Sequence, residues 1–183
     1  MDISTITEAF SDVTVQSPTV GVMLAGLLAV ALVFLSAFAS GSEIAFFSLS
    51  PSDVAELEDG KNPSDRKIQM LREDSERTLA TILITNNFVN VMIVMLLSNI
   101  FVSIVKFGPK AYWLEFLIMT VFLTFLLLLF GEIMPKVYCR QNPLRFCRRC
   151  VDAILFARKI FWPIETILLK SGMLAEKVMK KEN

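Results

Sequence analysis

Three stretches of the chain run for about twenty residues or more with almost no charge: Val20 to Phe47, Thr78 to Val105 and Tyr112 to Phe130. About 20 apolar residues in a helix cross the hydrocarbon core of a bilayer, so each stretch predicts a membrane span. The rest of the chain alternates polar and apolar positions. Pro51 to Arg77 carries charges of both signs and is split by Gly60-Lys61-Asn62-Pro63, a turn cluster that predicts two short helices. Ser50-Pro51 predicts a serine N-cap with proline at the first helical position, and Asp74 or Ser75 followed by Glu76 predicts a cap for the second span. Lys106 to Lys110, with Gly108-Pro109, reads as a short loop, and Tyr112-Trp113 as the aromatic rim of the third span. Pro135-Lys136 is expected to end that span. In the tail, Asn142-Pro143 opens a helix in which Leu144, Phe146, Val151, Ile154, Leu155 and Phe161 alternate with Arg145, Arg148, Arg149, Arg158 and Lys159. That pattern predicts an amphipathic helix at the inner-leaflet interface or belting a dimer; Pro163 is expected to break it, with a second helix over Ile164 to Lys181. The fold class is therefore all-α integral membrane. Its expected divisions are an external segment over 1–19, a transmembrane domain over 20–139 that includes the helical loop 51–77, and juxtamembrane helices over 140–183.

Composition agrees. Of 183 residues 54 % are hydrophobic, and the mean hydropathy is +0.58. Lys and Arg fix an orientation: five lie in the first loop, two (Lys106 and Lys110) in the second, and the remaining eleven of 18 follow Phe130. The positive-inside rule then puts the N-terminus outside and the tail in the cytoplasm. Residues 1–19 carry Asp2, Glu8 and Asp12 with no Lys or Arg, so the first span is not read as a removable signal peptide. A net charge of zero gives no indication of nucleic acid. The absence of histidine excludes imidazole general acid/base chemistry and His-ligated haem or zinc, and no nucleophile–base pair is visible, so no enzymatic activity is expected. Cys139, Cys147 and Cys150 fall on the cytoplasmic side; Cys147-Arg-Arg-Cys150 spells C-x-x-C but lacks a second pair, and reads as reduced bystander thiols.

Three polar interruptions break the apolar runs: Ser36 to Ala45 with Ser36, Ser40, Ser42, Gly41 and Glu43; Asn86-Asn87-Phe-Val-Asn90; and Gly131-Glu132. Polar and ionisable groups at membrane depth are costly, and they mark functional sites by default. At 1.5 Å per residue, Ser36 to Ser40 lie about 24–30 Å below the outer edge, Asn86 and Asn90 about 12–18 Å from the inner edge, and Glu132 about 30 Å down. All three reach the same cytoplasmic half. Ser36/Ser40 and Asn86/Asn90 are each spaced i, i+4 and share a helix face. Together with Glu132 and the backbone at Gly131 they offer only oxygen ligands, which suit Mg²⁺, Ca²⁺, Mn²⁺ or Na⁺ rather than Zn²⁺ or Cu²⁺. Glu43 and Asn87 are secondary candidates. Each piece also has a plainer use. Ser36-x-x-x-Ser40 is a small-residue packing motif, an asparagine pair can hydrogen-bond a neighbouring helix, and Glu132 could pair with Lys136.

The stretches Leu35-Ser-Ala-Phe-Ala-Ser-Gly-Ser-Glu-Ile-Ala-Phe-Phe-Ser-Leu-Ser50, Leu79-Ala-Thr-Ile-Leu-Ile-Thr-Asn-Asn-Phe-Val-Asn90 and Phe130-Gly-Glu-Ile-Met-Pro-Lys136 together resemble the DUF21 transmembrane domain of the CorC/cyclin M (CNNM) family, over about residues 20 to 180. The resemblance implies a homodimer in the bacterial inner (plasma) membrane that exports Mg²⁺, coupled to Na⁺. It implies an ion site of Ser36, Ser40, Asn86, Asn90, Gly131 and Glu132. A CBS pair, which would bind ATP, and a C-terminal domain are expected to follow Asn183. One subgroup of that family is associated with gliding motility, so the alternative is a non-transporting membrane scaffold or regulatory protein whose cytoplasmic tail recruits other proteins.

Overall fold

The computed structural model describes residue 7 and residues 10–182, with side chains described as far as residue 173 except at 110. Three long helices dominate. Helix α1 (Val20–Phe47) starts at Thr19, whose hydroxyl accepts from the Val22 amide, and ends at Ser48. Two short helices follow, α2 (Pro51–Glu58) and α3 (Asp65–Glu73). Then come α4 (Ser75–Ile104) and a third long unit made of α5 (Tyr112–Leu126), a π-helical turn (Leu127–Ile133) and α6 (Met134–Cys139). Helix α7 (Pro143–Glu182) closes the chain. Val20–Phe47, Ser75–Ile104 and Tyr112–Cys139 are long and apolar enough to cross a membrane, so this is an all-α, multi-pass membrane protein.

Burial along α1 is the reverse of a soluble helix. Its apolar N-terminal half (Val20, Met23, Leu24, Leu27, Phe34) is exposed, while Ser36, Ala39, Ser40, Gly41, Ser42 and Ala45 are buried. Small and polar residues therefore face protein and large apolar ones lie on the surface of the bundle, as a membrane helix requires: lipid gives no reason to hide a leucine but every reason to hide a hydroxyl. α1 packs along α4, with Leu32, Val89 and Ile93 as the buried seam.

A second core sits where the short helices meet the spans. Leu57, Ile68, Leu71, Ile82, Cys139, Leu144, Cys147, Cys150, Val151 and Ile154 form one cluster with Ala45 and Phe46. Ser50 caps α2 in a full capping box with Asp53, as the Ser-Pro pair predicts. Arg148 ties this layer together. Its Nε and Nη2 donate to the two oxygens of buried Asp65 (2.8 and 3.2 Å), and Nη1 donates to Glu56 (2.8 Å). Gly41 allows the close approach: a Cβ there would lie 2.5 Å from Cys139 Sγ and 3.1 Å from Phe146 Cζ.

Four local expectations are corrected. Pro163 does not break the tail; α7 is one helix through it, because a proline costs one backbone bond while contacts with α1, α3 and α4 hold the helix on its course. The expected second helix over 164–181 is part of this one helix, whose side chains are described as far as Met173. The third span does not end at Pro135-Lys136 either. Pro135 falls in the first turn of α6, where a missing N–H is tolerated, and the helix runs on to Cys139. Asp74 makes no side-chain cap to α4 and instead pairs with Arg158 and Arg77. Finally, the 106–110 loop and the 1–19 segment hold a short antiparallel pair, β1 (Val13–Val15) on β2 (Val105–Phe107). That pairing places the start of α1 and the end of α4 at one end of the bundle; residues 1–6, 8 and 9 lie outside the described residues.

Candidate ion site

Ser36 is fully buried and stands at the centre of the polar interruptions. Its Oγ lies 3.1 Å from Asn86 Oδ1 and 2.5 Å from Asn90 Oδ1, joining α1 to α4 in the middle of their seam. The third span touches the same atom. A Cβ on Gly131 would sit 3.1 Å from Ser36 Oγ, a tight contact that glycine avoids where the π-helical turn meets α1. Three interruptions, each on its own span, therefore converge on one hydroxyl.

Ser36 Oγ carries one proton, yet two amide oxygens point at it within hydrogen-bond distance. Ser40, one turn further along α1, is fully buried and its Oγ has no partner. The cluster thus gathers hydroxyl and amide oxygens at one buried point beside an unpartnered hydroxyl, ligand types that suit a hard cation.

Among the described residues, no hydrogen bond or ion pair joins the other candidates to it. Glu132 follows Gly131 in the π-helical turn, half-buried, with no hydrogen bond or ion pair among the described residues. Its alternative partner, Lys136, bonds Glu43 at 3.2 Å instead, so Glu43 ties the end of α1 to α6 and is not in the cluster. Asn87 is exposed and makes no hydrogen bond to the cluster among the described residues. The π turn itself was not foreseen. Its signals were Gly131 beside Pro135: proline has no N–H to offer the Gly131 carbonyl one turn earlier, and such wide turns occur mostly as single insertions at functional sites.

Two further polar features were also missed or read differently. Glu165 of α7 is fully buried; Thr81 Oγ1 of α4 lies 2.6 Å from its Oε1, and its Oε2 has no partner. The available signal was that Glu165 is the lone acid between Asp152 and Glu176 on a basic helix. Cys147 and Cys150 are free thiols inside the core of the short-helix layer, not at its surface. Their mutual bond and burial push the Cys147 thiol up, while the same bond draws the Cys150 thiol down, so the pair carries one strongly disfavoured thiolate and one that is not. Among the described residues, no group of three or more Cys, Asp or Glu side chains could hold a metal together. The oxygen cluster is of a different kind, built from hydroxyls and amides.

Three membrane helices joined at a buried hydroxyl–amide cluster, with a basic amphipathic helix packed beside them, define a polytopic membrane domain with an oxygen-lined centre. Comparison with known proteins gives its lineage. The cyclin M transmembrane N-terminal domain family matches residues 27–183, and the chain belongs to that family. It is 30 % identical over 154 residues to the metal transporter cnnm-4 of Caenorhabditis elegans, covering 81 % of this chain and 31 % of that protein. It is 32 % identical over 148 residues to a DUF21 domain-containing chloroplastic protein of Arabidopsis thaliana, covering 81 % and 22 %. A UPF0053 protein of Haemophilus influenzae is 30 % identical over 130 residues, 71 % of this chain and 30 % of that one. The match thus spans about a fifth to a third of each relative's length.

Proposed function

We propose that this chain is the membrane domain of a metal-ion transporter whose cargo is Mg²⁺, moved outward across the inner membrane and coupled to Na⁺. The observation that carries the reading is the buried hydroxyl–amide cluster of Ser36, Asn86 and Asn90, with orphaned Ser40 one turn away. Membership of the cyclin M family, one of whose members is named a metal transporter, supports metal as the cargo. In this reading Mg²⁺ reaches the cluster from the side of α2, α3 and α7, which is cytoplasmic, with the N-terminus outside. It sheds part of its water onto Ser36, Ser40, Asn90 and Asn86, while Glu132 supplies the one full negative charge. Mg²⁺ wants six oxygens and gives up water reluctantly, so several waters stay on the ion. Gly131 keeps the third span close enough for Glu132 to take part. The working unit is a homodimer; no chemical reaction is catalysed, and ATP would act only through a CBS module elsewhere in the whole protein.

The rival reading is a scaffold in which Ser36, Asn86 and Asn90 simply fasten α1 to α4, which their hydrogen bonds favour. Thermal unfolding of the purified chain with and without MgCl₂ separates the two. An ion site predicts Mg²⁺-dependent stabilisation that disappears in Glu132→Gln, whose unfolding without metal is unchanged. A scaffold predicts no Mg²⁺ dependence in either protein.

A further inference from the structure

Two cavities flank one aromatic pair on the face of α7 that is turned towards the spans. Phe38 of α1 and Phe146 of α7 pack with ring centroids 5.5 Å apart. Phe38 lines an apolar cavity of about 370 Å³ between α1, α4 and α7, bounded on α7 by Ala153, Phe156, Ala157 and Ile160. Along the spans it extends from Ser42 and Thr81 to Leu32 and Met92. Ten residues of helix span about 15 Å, so this is a slot running into the depth of the bilayer. Phe146 lines the second cavity, about 140 Å³, with Tyr138, Asn142, Arg145 and Arg149. Arg145 and Arg149 are exposed, and neither has a carboxylate partner among the described residues, whereas Arg148 and Arg158 on the same helix are both paired.

Arg145, Arg149, Ala153, Phe156 and Ile160 follow one another at helical spacings of three and four, so a single stripe of α7 runs from free guanidinium groups to the apolar slot. The slot starts about one turn beyond Arg149. We propose that this stripe is a binding site for one anionic phospholipid. Its phosphate is held by Arg145 and Arg149, with Tyr138 and Asn142 as neutral donors, and one acyl chain enters the slot past Phe38 and Phe146. Guanidinium forks match phosphate oxygens in pairs, and basic pockets beside membrane helices recognise lipid head groups by the same chemistry. The lipid would also fill the space that separates α7 from the seam of α1 and α4, so its presence bears on how α7 sits against the spans. The proposal does not depend on the ion site.

Native mass spectrometry of the detergent-purified chain tests this. The protein is titrated with dioleoyl-phosphatidylglycerol, dioleoyl-phosphatidylcholine or inorganic phosphate. One retained phosphatidylglycerol per chain is expected, preferred over phosphatidylcholine, with no displacement by millimolar phosphate, because the acyl chain supplies part of the affinity. Arg145→Gln with Arg149→Gln should weaken phosphatidylglycerol retention roughly 25-fold, at about fivefold per surface arginine, and leave phosphatidylcholine unaffected. Ala157→Phe, which fills the slot, should weaken retention of both lipids while thermal unfolding stays cooperative. Equal retention of the two lipids, or no effect of either variant, would overturn the assignment. A photo-cross-linking residue in place of Phe156 should label lipid; labelling of a second copy of the chain would make the slot a dimer contact and would likewise overturn it.

Discussion

Ser36→Ala removes one oxygen atom and separates the structural role of the cluster from its proposed role as an ion site. In the absence of metal the hydroxyl has one proton to share between Asn86 and Asn90, so the variant forfeits one interhelical hydrogen bond. Such bonds between membrane helices contribute about 0.6 kcal/mol on average and at most about 1.7, because partly unfolded helices find other partners within the bilayer. The variant without metal is therefore expected to lose about 1 kcal/mol, a fall in Tm of about 2–4 °C for a chain of this length. An ion bound at a hundred times its Kd stabilises by about 2.7 kcal/mol. That is the larger effect, and it should shrink severely once a central ligand is gone. The assay is thermal unfolding in detergent at increasing MgCl₂, for both proteins. The expected result is a small gap at zero Mg²⁺ that widens to about 5–10 °C or more at saturation of the parent chain. A gap that stays constant across the titration would refute the reasoning and leave Ser36 as a fastener alone.

Two other substitutions probe the layer that supports the spans. Arg148→Met strands buried Asp65 without its two guanidinium bonds and should cost about 2–4 kcal/mol, somewhat below a fully enclosed pair because Arg148 is partly exposed; chemical unfolding measures it. The same pair sets an acid limit. Arg148 holds the Asp65 carboxyl below its usual range, so this stability is present above the unfolded value near 3.9 and is lost as pH falls through that value towards the lower folded one. The loss should be shallower in Arg148→Met, in unfolding curves taken between about pH 5 and pH 3. Gly41→Ala drives a methyl group against Cys139 and Phe146 and should destabilise by about 1–3 kcal/mol; adding Cys139→Ala makes room and should recover much of it, a non-additive pair in a double-mutant cycle.

How much of this was readable in advance follows from the range of each interaction. The spans were legible because a bilayer demands one continuous apolar length, and Ser36, Asn86 and Asn90 stood out because that same medium penalises them. The Ser50-Pro51 cap was legible because its chemistry lies within four residues. Contacts that depend on packing were not. Arg148 meets Asp65 across 83 residues, and nothing in the alternation of basic and apolar positions along α7 tells a guanidinium buried in a clamp from one facing solvent. Glu165 was hidden for the same reason, since its burial depends on Thr81 of α4. Proline was over-read twice. At Pro135 the residue falls in a first turn, and at Pro163 tertiary contacts outweigh one missing backbone bond. The π-helical turn had a local signal in Gly131 and Pro135, but that pair alone does not tell a widened turn from an ordinary helix end.

The account stands most directly on Mg²⁺ flux in liposomes reconstituted with the chain, read by a fluorescent Mg²⁺ indicator, alongside Glu132→Gln at equal protein content. The account predicts flux through the parent chain that falls to the level of empty liposomes in the variant, while its unfolding without metal is unchanged. Equal flux in both proteins would remove Glu132 and the cluster beside it from the ion path. No flux in either, together with no Mg²⁺-dependent stabilisation, would favour a scaffold whose serine and asparagines hold helices together and do nothing more.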